Sequence, residues 1–514
     1  MSIAILSSQS MANLESAALA EVSSVRSLIE TAVSRCTELF QELYPSSKHS
    51  HVALLVGTGH NGCDALGIGC ELLREGRSVI ALIAGSPPLL KPETSRMHQL
   101  FVELGGTIKS CSPVNDEIDF KSLDSLRNAS VWIDGLFGFG LNRPVTGIAA
   151  EAIQFINGLK KEIVSLDIPS GLSCDLGYFD GNHITATRTF VLGAYKPAHV
   201  DELCVGAIGQ LHLIDLDLLS FRQRINAPDW TALDPKQLSQ LIESIKRKSA
   251  SHKVSNGKIL IIAGSRRYPG AAVLACLGAS VSGAGLIHAL VPESSQTPLL
   301  TLQPEIIFET RLPNLDKFNS IVLGPGWVPG NSKVFEEILL YASAHPNIRI
   351  VLDAGCFHFV KERLNQGARL HPNFVLTPHY GEFSKLFPEI TARIETTEPE
   401  FRINRLEAVS WATSLSSAHI VLKGARTHIA SPDGSVASII RSSPLLAHAG
   451  QGDVFAGLLG GICAHTHELK KAACLAAMLQ AEVALQFSSA HPCALTLQPS
   501  ELVRQLPSFL PSED

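Results

Sequence analysis

The sequence predicts an α/β protein of two domains, each a parallel sheet covered on both faces by helices. Two observations lead there. Short apolar, β-branched runs recur along the chain without polar alternation, which marks strands buried on both faces. Helical stretches such as 64–75 and 270–282 lie between many of them, the pattern of strand–helix–strand crossovers. At 514 residues the chain is too long for one ordinary domain.

The first-half runs are 51–56, 78–83, 130–133, 162–166, 189–192 and 210–214. The second-half runs are 258–262, 320–323, 349–352, 373–376 and 419–423. Most end in Gly, Asp or Pro, and ligands of such sheets bind beyond the carboxyl ends of the strands. A polar stretch expected to be mostly helical, 235–249, separates the halves. The boundary is expected next to Ala227-Pro228-Asp229, giving domains 1–226 and 227–514.

Hydrophobic content of 45% against 18% charged residues suits well-buried domains rather than disorder. The balance of 42 basic and 48 acidic residues gives −6, which argues against a nucleic-acid or anionic-membrane surface. Eleven cysteines, an odd number with no Cys-x-x-Cys, read as reduced thiols of a cytoplasmic protein. Cys463-Ala464-His465-Thr466-His467 is read as a helix end rather than a metal cluster. Neither a secretory signal nor an apolar run of membrane-spanning length is expected.

The segment richest in chemistry is Ala447-His448-Ala449-Gly450-Gln451-Gly452-Asp453-Val454. Glycines crowd a carboxylate at the start of an apolar helix, where backbone N–H groups and the positive dipole end face an anion. An anion cradle beside a base is what phosphoryl transfer to a hydroxyl needs. Asp453 would accept the hydroxyl proton, worth ~10²–10⁴ in rate. Each well-placed N–H near Gly452 would contribute about 3 kcal/mol of transition-state stabilisation. The Gly-x-x-x-x-Gly-Lys-Ser/Thr phosphate loop is absent, so a nucleotide must be held another way.

Thr377-Pro378-His379-x-Gly381-Glu382, Lys423-Gly424-Ala425 and Gly450-x-Gly452-Asp453, in this order, resemble the ribokinase-like superfamily. With Tyr268-Pro269-Gly270-Ala271-Ala272 and Gly283-Ala284-Gly285, they look like its nucleotide-dependent dehydratases that repair hydrated NADH and NADPH. The resemblance spans 251–485. It implies phosphorylation of the hydrate's C6 hydroxyl from ADP or ATP, with Mg²⁺, followed by loss of phosphate. It implies that Lys423, Gly424, Ala425, Arg426, Thr427 and Gly452 hold the nucleotide, and that Ala271, Gly326, His379 and Asp453 contact the hydrate. Two departures stand out. Asp353-Ala354-Gly355 replaces Asp-Ala-Asp, and His448-Ala449-Gly450-Gln451 replaces Thr-Gly-Gly-Ser/Thr.

In the first half, Gly57-Thr58-Gly59-His60-Asn61-Gly62 fits Gly-x-Gly-x-x-Gly. The next strand ends Ala84-Gly85-Ser86 with no ribose-binding carboxylate, which excludes a standard NAD-dependent oxidoreductase. Asp134 and Asp167 directly follow buried strands and, beside Asn61, suggest a small-cation or acid/base site. With Asn61 to Asp64, Asp134-Gly135 to Gly140, and Asp167-Ile168-Pro169-Ser170-Gly171, residues 8–213 resemble the epimerase half of the same repair system, giving a Rossmann-like N-terminal and a ribokinase-like C-terminal domain, both three-layer α/β/α. The resemblance implies K⁺ at Asn61, Asp134 and Ser170. It implies hydrate contacts from His60, Asn61, Gly62, Cys63, Asp64, Gly138, Phe139, Gly140, Leu141, Asn142, Arg143, Pro144 and Asp167, with Asp167 as acid/base. His60, Cys63 and Ala65 depart from Asn-Asn-Gly-Gly-Asp-Gly, and Ile29-Glu30-Thr31-Ala32-Val33 departs from Met-Glu-Asn-Ala-Gly. The expected function is repair of R and S hydrates in one homo-oligomeric, cytoplasmic chain with neither nucleic acid nor membrane as partner. The alternatives are a small-alcohol or vitamin-precursor kinase, and a nucleotide-binding protein with a decayed first domain.

Overall fold

The computed structural model describes residues 3–21, 24–84, 90–111, 125–178, 181–246, 249–328 and 332–508. Gly85 and Ser86 lie outside them. Contacts divide the chain into two compact units, Ala4–Pro228 and Asp229–Asp514 with Met1–Ile3.

The N-terminal unit carries strands β1 (His51–Val56), β2 (Ser78–Ala84), β3 (Thr107–Cys111), β4 (Val131–Gly135), β5 (Glu162–Leu166), β6 (Arg188–Leu192) and β7 (Gln210–Ile214). Its main helices are α1 (Ser8–Leu19), α2 (Val25–Leu43), α3 (His60–Arg74), α4 (Pro92–Glu103) and α5 (Gly147–Gly158). The seven strands are all parallel, in the order β7-β6-β5-β4-β1-β2-β3. Chain order reverses between β1 and β4, which opens a crevice beyond their carboxyl ends. Both faces of the sheet are covered: Leu54, Val56, Ile133 and Leu166 point into one core, and Ala53, Leu55, Trp132 and Ile163 into another. That explains the unbroken apolar runs, each fully buried Leu, Ile or Val contributing ~1.5–3 kcal/mol.

The C-terminal unit carries β8 (Trp230–Ala232), β9 (Lys258–Ile262), β10 (Leu286–Leu290), β11 (Ile307–Phe308), β12 (Ser320–Leu323), β13 (Arg349–Leu352), β14 (Phe374–Leu376), β15 (His419–Leu422), β16 (Thr427–Ala430) and β17 (Val436–Ile439). Apart from a two-residue edge strand, they run β8-β17-β16-β15-β14-β13-β12-β9-β10-β11. Only β16 is antiparallel to its neighbours. The reversal here falls between β9 and β12. Three helices shape the site: α6 (Pro269–Ser280), α7 (Tyr380–Leu386) and α8 (Gln451–Cys463), with α9 (Leu469–Ala490) behind. No helix among the described residues is long and apolar enough to cross a membrane.

The α/β architecture is as expected, with local differences. The helix expected over 64–75 begins at His60, because Gly59 already serves as its N-cap. Among the described residues of 235–249, the helix covers Gln237–Ile245, after the short strand β8. Strands β3, β8, β10, β11, β16 and β17 were not foreseen; β3 reads Thr107-Ile-Lys-Ser-Cys111 and β11 is two residues long, too little for a pattern to register.

Candidate active sites

Strand order delivers the C-terminal site. The ends of β12, β13, β14 and β15 lie side by side. Lys423, just past β15, pairs as an isolated bridge with His379, just past β14, and donates its N–H to Pro378 O at 2.8 Å. Lys423 Nζ donates to Asp353 Oδ1 at 3.0 Å, and the Thr377 hydroxyl donates to the same oxygen at 2.6 Å. His379 caps α7 in a reciprocal box: its Nδ1 accepts from Glu382 N, and its N–H donates to Glu382 Oε2. Gly450, with φ of 91°, turns the chain into α8, and no side chain caps that helix. The free N–H groups of its first turn are therefore left for an anion.

Asp453 stands in that first turn. Burial, then the Asp353 charge, push its carboxyl up to about 7, partly offset by Lys423. Glu382 is raised by burial and by Asp353 in the same way. A Cβ built on Gly452 would lie 3.1 Å from Lys423 Nζ, so the ammonium sits against the helix start. A cation, N–H groups and a carboxylate that exchanges its proton near neutrality thus share one place. Ala271, in the first turn of α6, meets Gly326: a Cβ on Gly326 would lie 2.6 Å from that of Ala271. Gly424, Ala425 and Arg426 form the turn between β15 and β16, and Thr427 opens β16.

The departures from the family pattern have local explanations. Ala449 is exposed and is not among the positive-φ residues; the left-handed position is Gly450. Gln451 is buried, and its Nε2 donates to Leu497 O at 2.7 Å, anchoring the start of α8. His448 is exposed, and its ring Nδ1 bonds the neighbouring Ala449 O. Gly355 packs under Trp327: a Cβ there would lie 2.6 Å from both Trp327 Cβ and its carbonyl oxygen. A second aspartate does not fit at that position while Trp327 holds its place.

In the N-terminal unit, Asp134 lies at the end of β4, one residue before Gly135, with both carboxylate oxygens hydrogen-bonded. Oδ2 accepts from Ser165 Oγ at 2.8 Å and Ser170 N at 2.9 Å; Oδ1 accepts from Ser170 Oγ at 2.6 Å and Leu136 N at 3.2 Å. Burial raises its carboxyl, and the bonds from Ser170 and Ser165 pull it back. Asn61 Nδ2 donates to Phe137 O at 2.9 Å and Leu166 O at 3.2 Å. Amide, carboxylate, hydroxyl and carbonyl oxygens gathered here make a donor set that suits a hard cation. Among the described residues no group of three His, Cys, Asp or Glu is placed to hold a metal ion.

Asp167, buried with a φ of 64°, accepts from Phe139 N at 3.0 Å, which ties the 137–140 loop to the end of β5. A cavity of about 1080 Å³ is lined by His60, Asn61, Asp64, Asp167 and all of Gly138 to Pro144. Gly62 and Cys63 stand apart from it. Cys63 faces a different groove, between α2 and α4, and Ala65 is fully buried against Gly135. The added side chains at 63 and 65 therefore point into packing, away from the cavity.

Sequence reasoning missed Lys196. It is fully buried, pairs with Asp167 Oδ1, and donates to Leu192 O at 2.8 Å. The signal was present: Lys196 lies four residues past β6, between Tyr195 and Pro197, where a lone charge needs a partner.

The fold and these sites define a class: a nucleotide-dependent phosphoryl-transfer α/β domain joined to a second, ligand-binding α/β domain. Comparison with known proteins narrows it. The NAD(P)H-hydrate dehydratase family model matches residues 259–508, and the model of the YjeF-related protein N-terminus matches residues 25–198. The chain is 34% identical over 481 residues to the bifunctional NAD(P)H-hydrate repair enzyme of Synechocystis sp., covering 90% of this chain and 86% of that one. It is also 34% identical to the enzyme of the same description from Thermosynechococcus vestitus, covering 91% and 90%. A solved ADP/ATP-dependent NAD(P)H-hydrate dehydratase from Bacillus subtilis, co-crystallised with ATP/Mg²⁺, is 27% identical over 51% of this chain and 92% of that chain, with a TM-score of 0.43. This chain belongs to the family of bifunctional NAD(P)H-hydrate repair enzymes. It joins an NAD(P)H-hydrate epimerase half to a dehydratase half.

Proposed function

We propose that residues 227–514 dehydrate the S hydrate of NADH or NADPH at Asp453, and that residues 1–226 interconvert the R and S hydrates at Asp167. The observation that carries the first reading is the Asp453 carboxyl, held at about 7 beside Lys423 at the open start of α8. Asp453 takes the proton of the C6 hydroxyl as its oxygen bonds the terminal phosphorus of the nucleotide. The bond from phosphorus to the nucleotide breaks, leaving AMP from ADP or ADP from ATP. Phosphate then departs with the C6–O electron pair, and loss of the neighbouring ring proton restores the double bond. Lys423, Gly424, Ala425, Arg426, Thr427 and the N–H groups near Gly452 hold the nucleotide, while Ala271, Gly326 and His379 orient the hydrate. Mg²⁺ would travel with the nucleotide phosphates and neutralise their charge, since no dedicated cage for it is seen among the described residues.

For epimerisation, His60, Asn61, Asp64 and residues Gly138 to Pro144 shape the hydrate site, and Lys196 holds the Asp167 carboxylate in place. The oxygen donors of Asn61, Asp134 and Ser170 would hold K⁺, which supplies positive charge to the phosphate-bearing ligand. We read the protein as cytoplasmic and homo-oligomeric, with neither nucleic acid nor membrane as partner. The net charge of −6 supports the absence of nucleic acid, and sedimentation of the purified chain tests the oligomer.

The decisive assay mixes the protein with S hydrate and ADP or ATP and follows recovery of the reduced-nicotinamide absorbance. Recovery with one nucleotide names the co-substrate. No recovery with either removes the dehydratase reading.

A further inference from the structure

The cavity of the N-terminal unit holds a second acid that the roles above leave unused. Glu15 lies on α1, whose buried face is Ser10, Met11, Leu14 and Ala18. It follows Met11 by one helical step of four residues and so stands on that face. The start of α1 is pinned in place: Ser7 Oγ accepts from Ser10 N at 3.2 Å, and Ser8 N donates to Asp175 Oδ1 at 2.8 Å. Glu15 borders the same cavity as His60, Asp64, Lys91 and Asp167. Among the described residues, no hydrogen bond or ion pair engages its carboxylate.

The charges that face Glu15 come from several elements: Asp167 after β5, Lys196 after β6, Lys91 before α4 and Asp64 on α3. On the 218–224 turn packed against α1, the two arginines are occupied elsewhere. Arg222 donates to Ala227 O and Pro228 O, and Arg224 pairs with Glu21. Glu15 is partly buried; Asp64 is buried, and among the described residues its Oδ1 has no partner. The cavity therefore presents two kinds of carboxyl. Asp167 pairs with the buried Lys196 ammonium; among the described residues Glu15 and Asp64 have no donor, which favours the protonated form.

We propose that Glu15 is the second acid–base group of the epimerase site, exchanging protons with the hydrate while the Asp167–Lys196 pair serves as the first. The proposal rests on the reading that this unit interconverts the hydrates. The reacting carbon bears both a hydroxyl and the ring nitrogen. Protonation of the hydroxyl lets the C6–O bond break, its electron pair leaving with water. The nitrogen lone pair forms a C=N bond, giving an iminium cation. A water molecule then adds to the other ring face, its oxygen forming the new C–O bond, and gives a proton to a carboxylate. One C–O bond breaks and one forms, nothing is oxidised or reduced, and the proton count closes when donor and acceptor re-equilibrate. Two acid–base groups on different walls of the cavity serve the two faces. Glu15 is suited to the donor role because burial and the Asp167 charge raise its carboxyl to about 7 against the pull of Lys196 and Lys91.

The test is conversion of R hydrate to NADH by the full chain with its nucleotide, under conditions where epimerisation limits. It is measured across pH and corrected for uncatalysed epimerisation. Wild-type rate should fall as pH rises through about 7, because the protonated acid is consumed. E15Q should lose ~10²-fold and its pH limb, with S-hydrate conversion unchanged. E15D should keep the limb and much of the rate. E15Q with wild-type rate and profile overturns the proposal, and so does E15D as inactive as E15Q. A wild-type chain that converts S but never R removes the epimerase reading itself, and Glu15's role with it.

Discussion

At the scale of single residues, charge placement decides chemistry. Asp453→Asn should lower S-hydrate dehydration ~10²–10⁴-fold while nucleotide binding persists. Wild-type rate should rise with pH through about 7, since the base form is required, and that limb should vanish in the variant. A variant with full activity removes the base assignment. Lys196 makes a different point. Its ammonium is buried on Asp167, so Lys196→Met leaves a buried carboxylate uncompensated and should cost ~3–5 kcal/mol in urea unfolding of the N-terminal unit. Adding Asp167→Leu should recover part of that loss. Asp453 was legible because glycines announce a helix start beside it. Lys196 and Glu15 were not, because nothing local says which strand end or which cavity a distant charge will meet.

At the scale of elements, α8 is placed by close backbone approach rather than by large side chains. A Cβ on Gly457 would lie 1.8 Å from Ala275 O, and one on Gly278 2.2 Å from Val454 O, so α8 and α6 nest backbone to backbone. The hairpin of β15 and β16 that presents Lys423 carries two histidines, His428 fully buried and His419 partly buried. His428 is pushed down to about 3 and His419 to about 4, both chiefly by burial; His428 Nδ1 bonds Ser438 Oγ at 2.9 Å while its Nε2 has no partner. Both values lie below the ordinary 6.5 of an unfolded histidine, so between about 6.5 and 4 the unfolded chain binds more protons. Stability of the C-terminal unit should therefore fall as pH drops below about 6.5, read as a decreasing urea midpoint. His428→Asn should flatten that dependence; an unchanged slope would refute its origin. Long apolar strands of these sheets could be read directly. The short strands β8 and β11 could not, because they are held by pairing with neighbours distant in sequence.

At the scale of the whole molecule, two units with separate cores divide one repair task. Their functions should separate by mutation. Asp453→Asn should block recovery from both R and S hydrates, whereas Lys196→Met should block R and spare S. Loss of S conversion in Lys196→Met would refute that division of labour.

The sequence by itself determined the α/β class, the two halves, the glycine-bearing strand ends and the family motifs, because these are local: burial on both faces writes an unbroken apolar run, and a helix start needs its glycines. Only the tertiary structure decided which charges meet. Lys196 finds Asp167, Lys423 finds Asp353, Glu15 enters a cavity lined largely by helices and by loops past strand ends far along the chain, and Gly355 makes room for Trp327. The physical reason is that strand order, not chain order, sets which carboxyl ends become neighbours. The proton affinities on which the chemistry depends are properties of that neighbourhood.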